Sequence, residues 1–327
     1  MGHGMGELAA ATLLAPAPLA FALGVVARLG RTEFRLPKDI YVGLSVYLLW
    51  SLGLQGGVEL RHAGWGAITY PALATIGLAV LTPVTAYLVL RHAGRFSVAD
   101  SAGIAAHYGS TSAVTFIAAS TAARAAGLEP EGFMPTLLAL IESPGIHIAL
   151  AIGALGGKSE GQPAGAVLRE VLTARTMVLL MGGMVVGYLM REAHWTPIAP
   201  FFDARAGAFK AVLTIFMLEM GLLAGERLGD LRRVGLFLTG FATVMPAVFG
   251  VTGTWFGHLA GLSPGGAAVL GTMAASASYI AAPPAVRVTL PEANPTYSLT
   301  AALAVTFPFN LLVGIPLYLR TATWLSA

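Results

Sequence analysis

Apolar stretches of about 20 residues recur from one end of the chain to the other, and they restrict its fold more than any other feature. Twenty helical residues cover about 30 Å, the thickness of a bilayer's hydrocarbon core. Inside that core every backbone N–H and C=O needs a partner within the protein, so a spanning segment is a helix or part of a closed barrel. Barrel strands need only about ten residues of alternating polarity, and these stretches are longer and apolar throughout. The expected fold is an all-α polytopic membrane protein with ten transmembrane helices, at about 8–27, 38–60, 67–90, 98–123, 133–155, 171–190, 206–224, 234–258, 264–288 and 296–320. Only 11% of the 327 residues are charged and 56% are hydrophobic, a balance far from that of soluble domains. There is no cysteine, so disulfides and thiolate metal sites are excluded.

Lys and Arg accumulate in cytoplasmic loops. Arg28, Arg31, Arg35 and Lys38 follow the first span, Arg91 and Arg95 the third, and Arg227, Arg232 and Arg233 the seventh, whereas the intervening loops are poorer in both. This bias puts the 156–170 loop in the cytoplasm and both termini outside. Residues 1–7 carry no Lys or Arg, the reverse of a secretory leader, so the first span is expected to be retained.

The two halves of the chain match. "GLQGG" (Gly53 to Gly57) corresponds to "GLLAG" (Gly221 to Gly225), and Pro83 to Pro246. "SAVTFIAA" (Ser112 to Ala119) precedes "SASYIAAP" (Ser276 to Pro283) by 164 residues, the interval that also separates Pro144 from Pro308. With five spans in each unit the second copy enters the membrane upside down, the inverted-repeat arrangement of many transporters. The expected organisation is a first five-helix repeat over 1–155, a cytoplasmic linker over 156–170 and a second, inverted repeat over 171–327.

"AHYGSTSAVTF" (Ala106 to Phe116) interrupts span four with glycine and three hydroxyls, and its counterpart "MAASASY" (Met273 to Tyr279), followed by Pro283 and Pro284, interrupts span nine. Broken helices at membrane depth are tolerated only inside protein or beside a cavity, and paired breaks in inverted halves point to a transporter's binding site. A half-helix N-terminus offers unpaired N–H groups and a partial positive charge, which suits an anion. Ser110, Thr111, Ser112, Ser276 and Ser278 add hydroxyls, with Ala113 and Ala277 between them. Neither break contains Lys or Arg, so a small, singly charged anion fits better than a phosphate. The same small residues also serve tight helix packing without binding anything.

Ionisable groups inside spans are costly and functional by default. Glu142 stands mid-span in "LIESPG" beside Ser143, and its counterparts at the repeat interval are Thr306 and, one turn on, Asn310. Their oxygens suit a Na⁺ site; a proton-carrying Glu142, or a carboxylate that only bonds serines, are the alternatives. Glu219 is a second, weaker candidate. Asp100 reads as the N-cap of span four, and His107 as a hydrogen-bonded packing residue. His147, five residues from Glu142, is on another face and forms no metal pair with it. No HExxH or GxSxG motif supports an intramembrane enzyme.

"AAHYGSTSAVTFIAAS", "ALIESPGI" and "GGMVVGYL" together resemble the sodium-dependent bicarbonate transporter family known from cyanobacteria, over nearly the full length. The resemblance implies a bile-acid-symporter-like fold, with a gate domain from spans 1, 2, 6 and 7, a core domain from spans 3–5 and 8–10, and broken helices four and nine crossing in the core. It implies a homotrimer in the bacterial cytoplasmic membrane that imports bicarbonate with Na⁺ by symport, with no other cofactor and no nucleic-acid partner. It further implies that Ser110, Thr111, Ser112, Ser276, Ala277 and Ser278 surround the substrate and that Glu142 is near the ion. The central loop is short where cyanobacterial members carry a long one used by a PII-like regulatory protein, which counts against such a partner here. The alternative cargo on the same fold is another small anion, such as a short carboxylate, coupled to Na⁺ or H⁺.

Overall fold

The structure is a computed structural model that describes residues 14–32, 34–156, 169, 173 and 175–327. The start of the first expected span and residues 157–168 of the expected linker lie outside the described residues. Every regular element is helical, and there is no strand among the described residues.

The first half contains α1 (Pro16–Leu29), α2 (Lys38–Leu88), α3 (Val98–Tyr108), α4 (Ala113–Ala125), α5 (Met134–Glu142) and α6 (Pro144–Gly156). The second contains α7 (Arg175–Leu189), α8 (Glu192–Phe202), α9 (Gly207–Leu228), α10 (Leu231–Leu259), α11 (Pro264–Ala274) and α12 (Ala282–Thr289). It closes with α13 (Pro295–Leu325), which includes π-helical turns at Ala301–Thr306 and Asn310–Gly314.

Five helical stretches are long and apolar enough to cross a membrane: Lys38–Ala93, Met134–Gly156, Glu192–Leu228, Leu231–Leu259 and Pro295–Leu325. The difference from the ten expected segments has local causes. α2 covers two of them: its 51 residues would reach about 77 Å at 1.5 Å each. Gly64, with φ 73° and ψ 164°, turns the chain between its two parts. An L-residue adopts that φ only at a cost, and glycine does not. The expected segments 98–123 and 264–288 are each divided into two short helices by residues 109–112 and 275–281. α8 was not expected as an element of its own; at 11 residues, with Pro197 and Pro200 inside it, it is too short to span.

Glycines set the closest helix contacts. α1 and α9 meet through Gly24 and Gly221, where a side chain on either would run into the other helix's backbone. The first part of α2 meets α7 in the same way through Gly53, Gly57, Gly183 and Gly187. Helices in lipid gain little from apolar burial against each other, so close backbone approach and dispersion hold them together.

Candidate functional site

The interruption of α3–α4 is built by backbone packing. α3 stops at Tyr108, and Gly109 then lies so close to Gly145 that a Cβ on either would collide with the other's backbone. The α5–α6 junction, where Pro144 follows Ser143, thus abuts the break. Ser112 restarts the helix as N-cap of α4: its φ of −94° and ψ of 119° are extended, and its Oγ accepts from the Thr115 N–H at 3.3 Å. In the other half α11 stops at Ala274 and α12 begins at Ala282, with Pro283 in its first turn.

Residues 109–112 and 275–281 meet, and several of their polar groups pair with one another or with the helix ends beside them. The Ser112 N–H donates to Ser276 Oγ at 2.8 Å, and Ser112 Oγ donates to the Tyr279 hydroxyl at 3.2 Å. The Ser278 N–H donates to the His107 carbonyl at 2.8 Å, while His107 Nδ1 lies 2.6 Å from the Ser278 carbonyl. A carbonyl can only accept, so Nδ1 carries the proton. His107 is thus the hydrogen-bonded packing residue expected from the sequence.

A cavity of about 30 Å³ lies beside this crossing. Thr111, Ser112, Ala113 and Val114 line it from the start of α4, Glu142 from the end of α5, and Ser278 and Tyr279 from the second crossing segment. Ser45 of α2, Thr176 of α7 and Phe216 of α9 close the opposite wall. Glu142 Oε2, Thr111 Oγ1 and Thr176 Oγ1 are buried without a hydrogen-bond partner. Such atoms are rare in folded proteins and each calls for a ligand or water. No Lys, Arg or His among the described residues lines the cavity. It therefore offers a helix N-terminus with free N–H groups beside a carboxylate and hydroxyl oxygens, complementary to a small anion and a cation held together. Thr176 was missed by sequence reading, since one threonine at a helix start carries no motif.

The remaining expected site residues are elsewhere. Ser110 Oγ is buried and unpartnered, but Ser110 does not line this cavity, and neither do Ser276 or Ala277. The Ser143 carbonyl lies 2.8 Å from His147 Nδ1, a contact within one helical turn. Thr306 and Asn310, grouped with Glu142 by the repeat interval, do not line the cavity either. Pro246 has no N–H, so the Ala242 carbonyl four residues earlier loses its helical partner. The Thr306 hydroxyl supplies one at 2.7 Å. With that hydrogen committed, Tyr108 must be the donor in its 2.6 Å contact with Thr306 Oγ1. Asn310 Nδ2 donates to the carbonyl of Ala275, just past the end of α11, at 2.9 Å, and its Oδ1 accepts from Tyr318 at 3.2 Å.

Two other acidic residues take part in structure. The N-cap of α3 is Ser97 and not Asp100: Ser97 Oγ accepts from the Asp100 N–H at 3.0 Å. The Asp100 carboxylate accepts from Ser97 Oγ at 2.7 Å and from the Asn294 N–H at 2.8 Å. The helix begins at Val98, which puts Ser97 at the capping position and Asp100 at the third helical residue, where its carboxylate completes the pair. Glu219 accepts from the Leu36 N–H at 3.2 Å and so ties the α1–α2 connection to α9.

At one end of the bundle Arg205, between α8 and α9, donates to Glu129 Oε1 through both Nη2 (2.9 Å) and Nε (3.1 Å). It also lies 3.5 Å from Glu59 of α2. Arg124 of α4 donates to the same Glu129 oxygen at 3.2 Å. Burial of Glu129 opposes its ionisation, but the hydrogen bonds from Arg205 and the charge of Arg124 outweigh it and hold the carboxyl below its ordinary range.

A sequence model of the Na⁺-dependent bicarbonate transporter superfamily matches residues 16–323. None of the curated proteins matches the chain.

Proposed function

Because the chain belongs to the Na⁺-dependent bicarbonate transporter superfamily, whose members are transporters and not enzymes, we propose that it imports bicarbonate together with Na⁺ by alternating access. The observation that carries this reading is the cavity at the crossing, where the N-terminus of α4 and the unpartnered carboxylate oxygen of Glu142 face the same small space. The anion is held by the Ala113 and Val114 N–H groups with the hydroxyls of Thr111, Ser112 and Ser278. Na⁺ is held on the Glu142 side.

In this reading the chain makes ten membrane crossings in two inverted five-helix repeats, with both termini outside a bacterial cytoplasmic membrane. Gly64 and Gly235 support the repeat: they adopt nearly the same unusual conformation, φ 73° and ψ 164° against φ 78° and ψ 168°, at the second-to-third connection of each half. The contact of α1 with α9 and that of α7 with α2 exchange under the same operation. α1, the first part of α2, α7 and α9 form the gate, and the second part of α2 with α3–α6 and α10–α13 forms the core that carries the two interrupted segments. The Arg205–Glu129 contact then closes gate on core at the outer face, while the cavity walls of Ser45 and Thr176 belong to the cytoplasmic ends of their helices.

Na⁺ coupling has a physical rationale. Moving one anion inward against an interior-negative potential of about 100 mV costs about 2.3 kcal/mol. One Na⁺ travelling with it cancels that electrical cost, and each tenfold Na⁺ gradient then drives the anion by about 1.4 kcal/mol.

The test is uptake of labelled inorganic carbon into proteoliposomes at alkaline pH, with and without an inward Na⁺ gradient and with carbonic anhydrase excluded. Accumulation that requires Na⁺ supports both cargo and coupling. Its absence in verified, folded protein removes bicarbonate as the cargo and directs the same assay to other small anions.

A further inference from the structure

Thr176 is in the first turn of α7, is 5% exposed, and has an Oγ1 with no hydrogen-bond partner. Its hydroxyl reaches toward the Glu142 carboxyl without closing to full hydrogen-bonding distance, and Glu142 is itself 5% exposed with Oε2 unpartnered. Thr111, 2% exposed, brings a third such oxygen to the same space. Three oxygens that lack partners, one of them a carboxylate with no basic side chain among the described residues of the cavity wall, are expensive to bury. A hard monovalent cation removes that cost, because it takes oxygen ligands and neutralises the carboxylate.

We infer that Thr176 is a Na⁺ ligand, completing a site with Glu142 and Thr111. This deepens the transport reading and rests on it for the identity of the ion. The three oxygens come from separate elements: Thr111 from the α3–α4 break, Glu142 from α5 and Thr176 from α7. The first two are tied together, since the Gly109 and Gly145 backbones are in contact between them. Thr176 instead belongs to the helix that packs on α2 through Gly183 and Gly187. Movement of one group against the other therefore parts Thr176 from Glu142, and the site is whole only in the conformation described here. A ligand shifts a conformational equilibrium by its difference in affinity for the two states. Na⁺ consequently favours this conformation, and Thr176 is the residue through which it does so.

The experiment uses the purified full chain in detergent and in proteoliposomes, titrated with NaCl at constant ionic strength against KCl. Na⁺ raises the unfolding temperature of the wild type, and K⁺ does not. Thr176→Val removes the hydroxyl at nearly constant volume and raises the half-effective Na⁺ concentration roughly tenfold, the scale of one hydrogen-bonding group lost to a charge. Thr176→Ser keeps the wild-type midpoint. If the valine variant does not fold, Thr176→Ala replaces it, with the same shift expected.

A Thr176→Val protein with the wild-type Na⁺ midpoint overturns the inference, as does equal stabilisation of the wild type by K⁺. The two readings fail separately. A wild type that Na⁺ stabilises through Thr176 but that accumulates no bicarbonate removes the cargo and leaves the ligand. A wild type with Na⁺-driven uptake whose Na⁺ midpoint ignores Thr176 removes the ligand and leaves the transporter.

Discussion

The backbone N–H of Ser112 donates to the hydroxyl of Ser276 at 2.8 Å, and the two residues stand 164 apart, the interval at which the halves of the chain match in sequence. Two residues at that sequence interval therefore meet in the structure. The arrangement is not symmetric in its bonds: Ser112 Oγ caps α4, while the Ser276 N–H donates to the Met273 carbonyl. One half consequently presents a capped helix N-terminus to the cavity, and the other presents Ser278, Tyr279 and Ile280, which precede α12, whose Pro283 and Pro284 supply no N–H. The N-terminus of α4 is the better anion donor of the two.

Replacing Ser276 with alanine leaves the Ser112 N–H buried without its acceptor, a penalty of about 1–3 kcal/mol. Ser112→Ala removes the α4 cap, worth about 1 kcal/mol. Both variants are expected to fold, judged by size-exclusion chromatography, and to take up bicarbonate more slowly than wild type. Wild-type uptake in both would withdraw the site from this crossing.

Glu142→Gln keeps the side chain's shape and removes its charge. The concentration of Na⁺ that half-saturates uptake is expected to rise, and by more than for any single hydroxyl variant, because a unit charge is lost. Unchanged Na⁺ dependence would move the ion away from α5.

The Arg205–Glu129 pair is partly exposed, so its contribution to stability lies within about 1 kcal/mol. The Glu129 carboxyl titrates below its unfolded value. Its contribution is thus present above the ordinary carboxylate pKa and is lost as pH falls through the lower, folded value. Arg205→Gln is expected to lower the unfolding temperature slightly at neutral pH, with the gap to wild type closing on acidification. A gap that widens in acid would contradict the assignment.

Gly64 and Gly235 have positive φ, and a Cβ on either meets nothing within 4 Å. Substitution by alanine therefore reports backbone strain alone, about 1–3 kcal/mol. The two variants should destabilise the protein by similar amounts in thermal unfolding, since the conformations are nearly equal. A large cost at one and none at the other would count against their equivalence in the two halves.

Much of this protein was legible in its sequence because it is decided locally. Apolar length sets which segments can lie in a bilayer. Gly109, Ser112 and Pro283 mark where helices stop and restart, since glycine, a capping hydroxyl and a missing N–H act within one turn. That the two interrupted stretches correspond was readable from their fixed interval. Which oxygens face the cavity was not, because that depends on what distant neighbours need. Thr306 and Asn310 look like ion ligands in sequence, yet their side-chain oxygens are in contact with the hydroxyls of Tyr108 and Tyr318, and neither residue lines the cavity. Thr176 has no motif at all, and the packing of α7 on α2 and α5 alone brings its unpartnered hydroxyl to Glu142. The sequence determined the helices and their interruptions. Tertiary structure decided how the polar groups were shared out, because a buried donor or acceptor in an apolar medium takes the nearest partner, wherever in the chain it comes from.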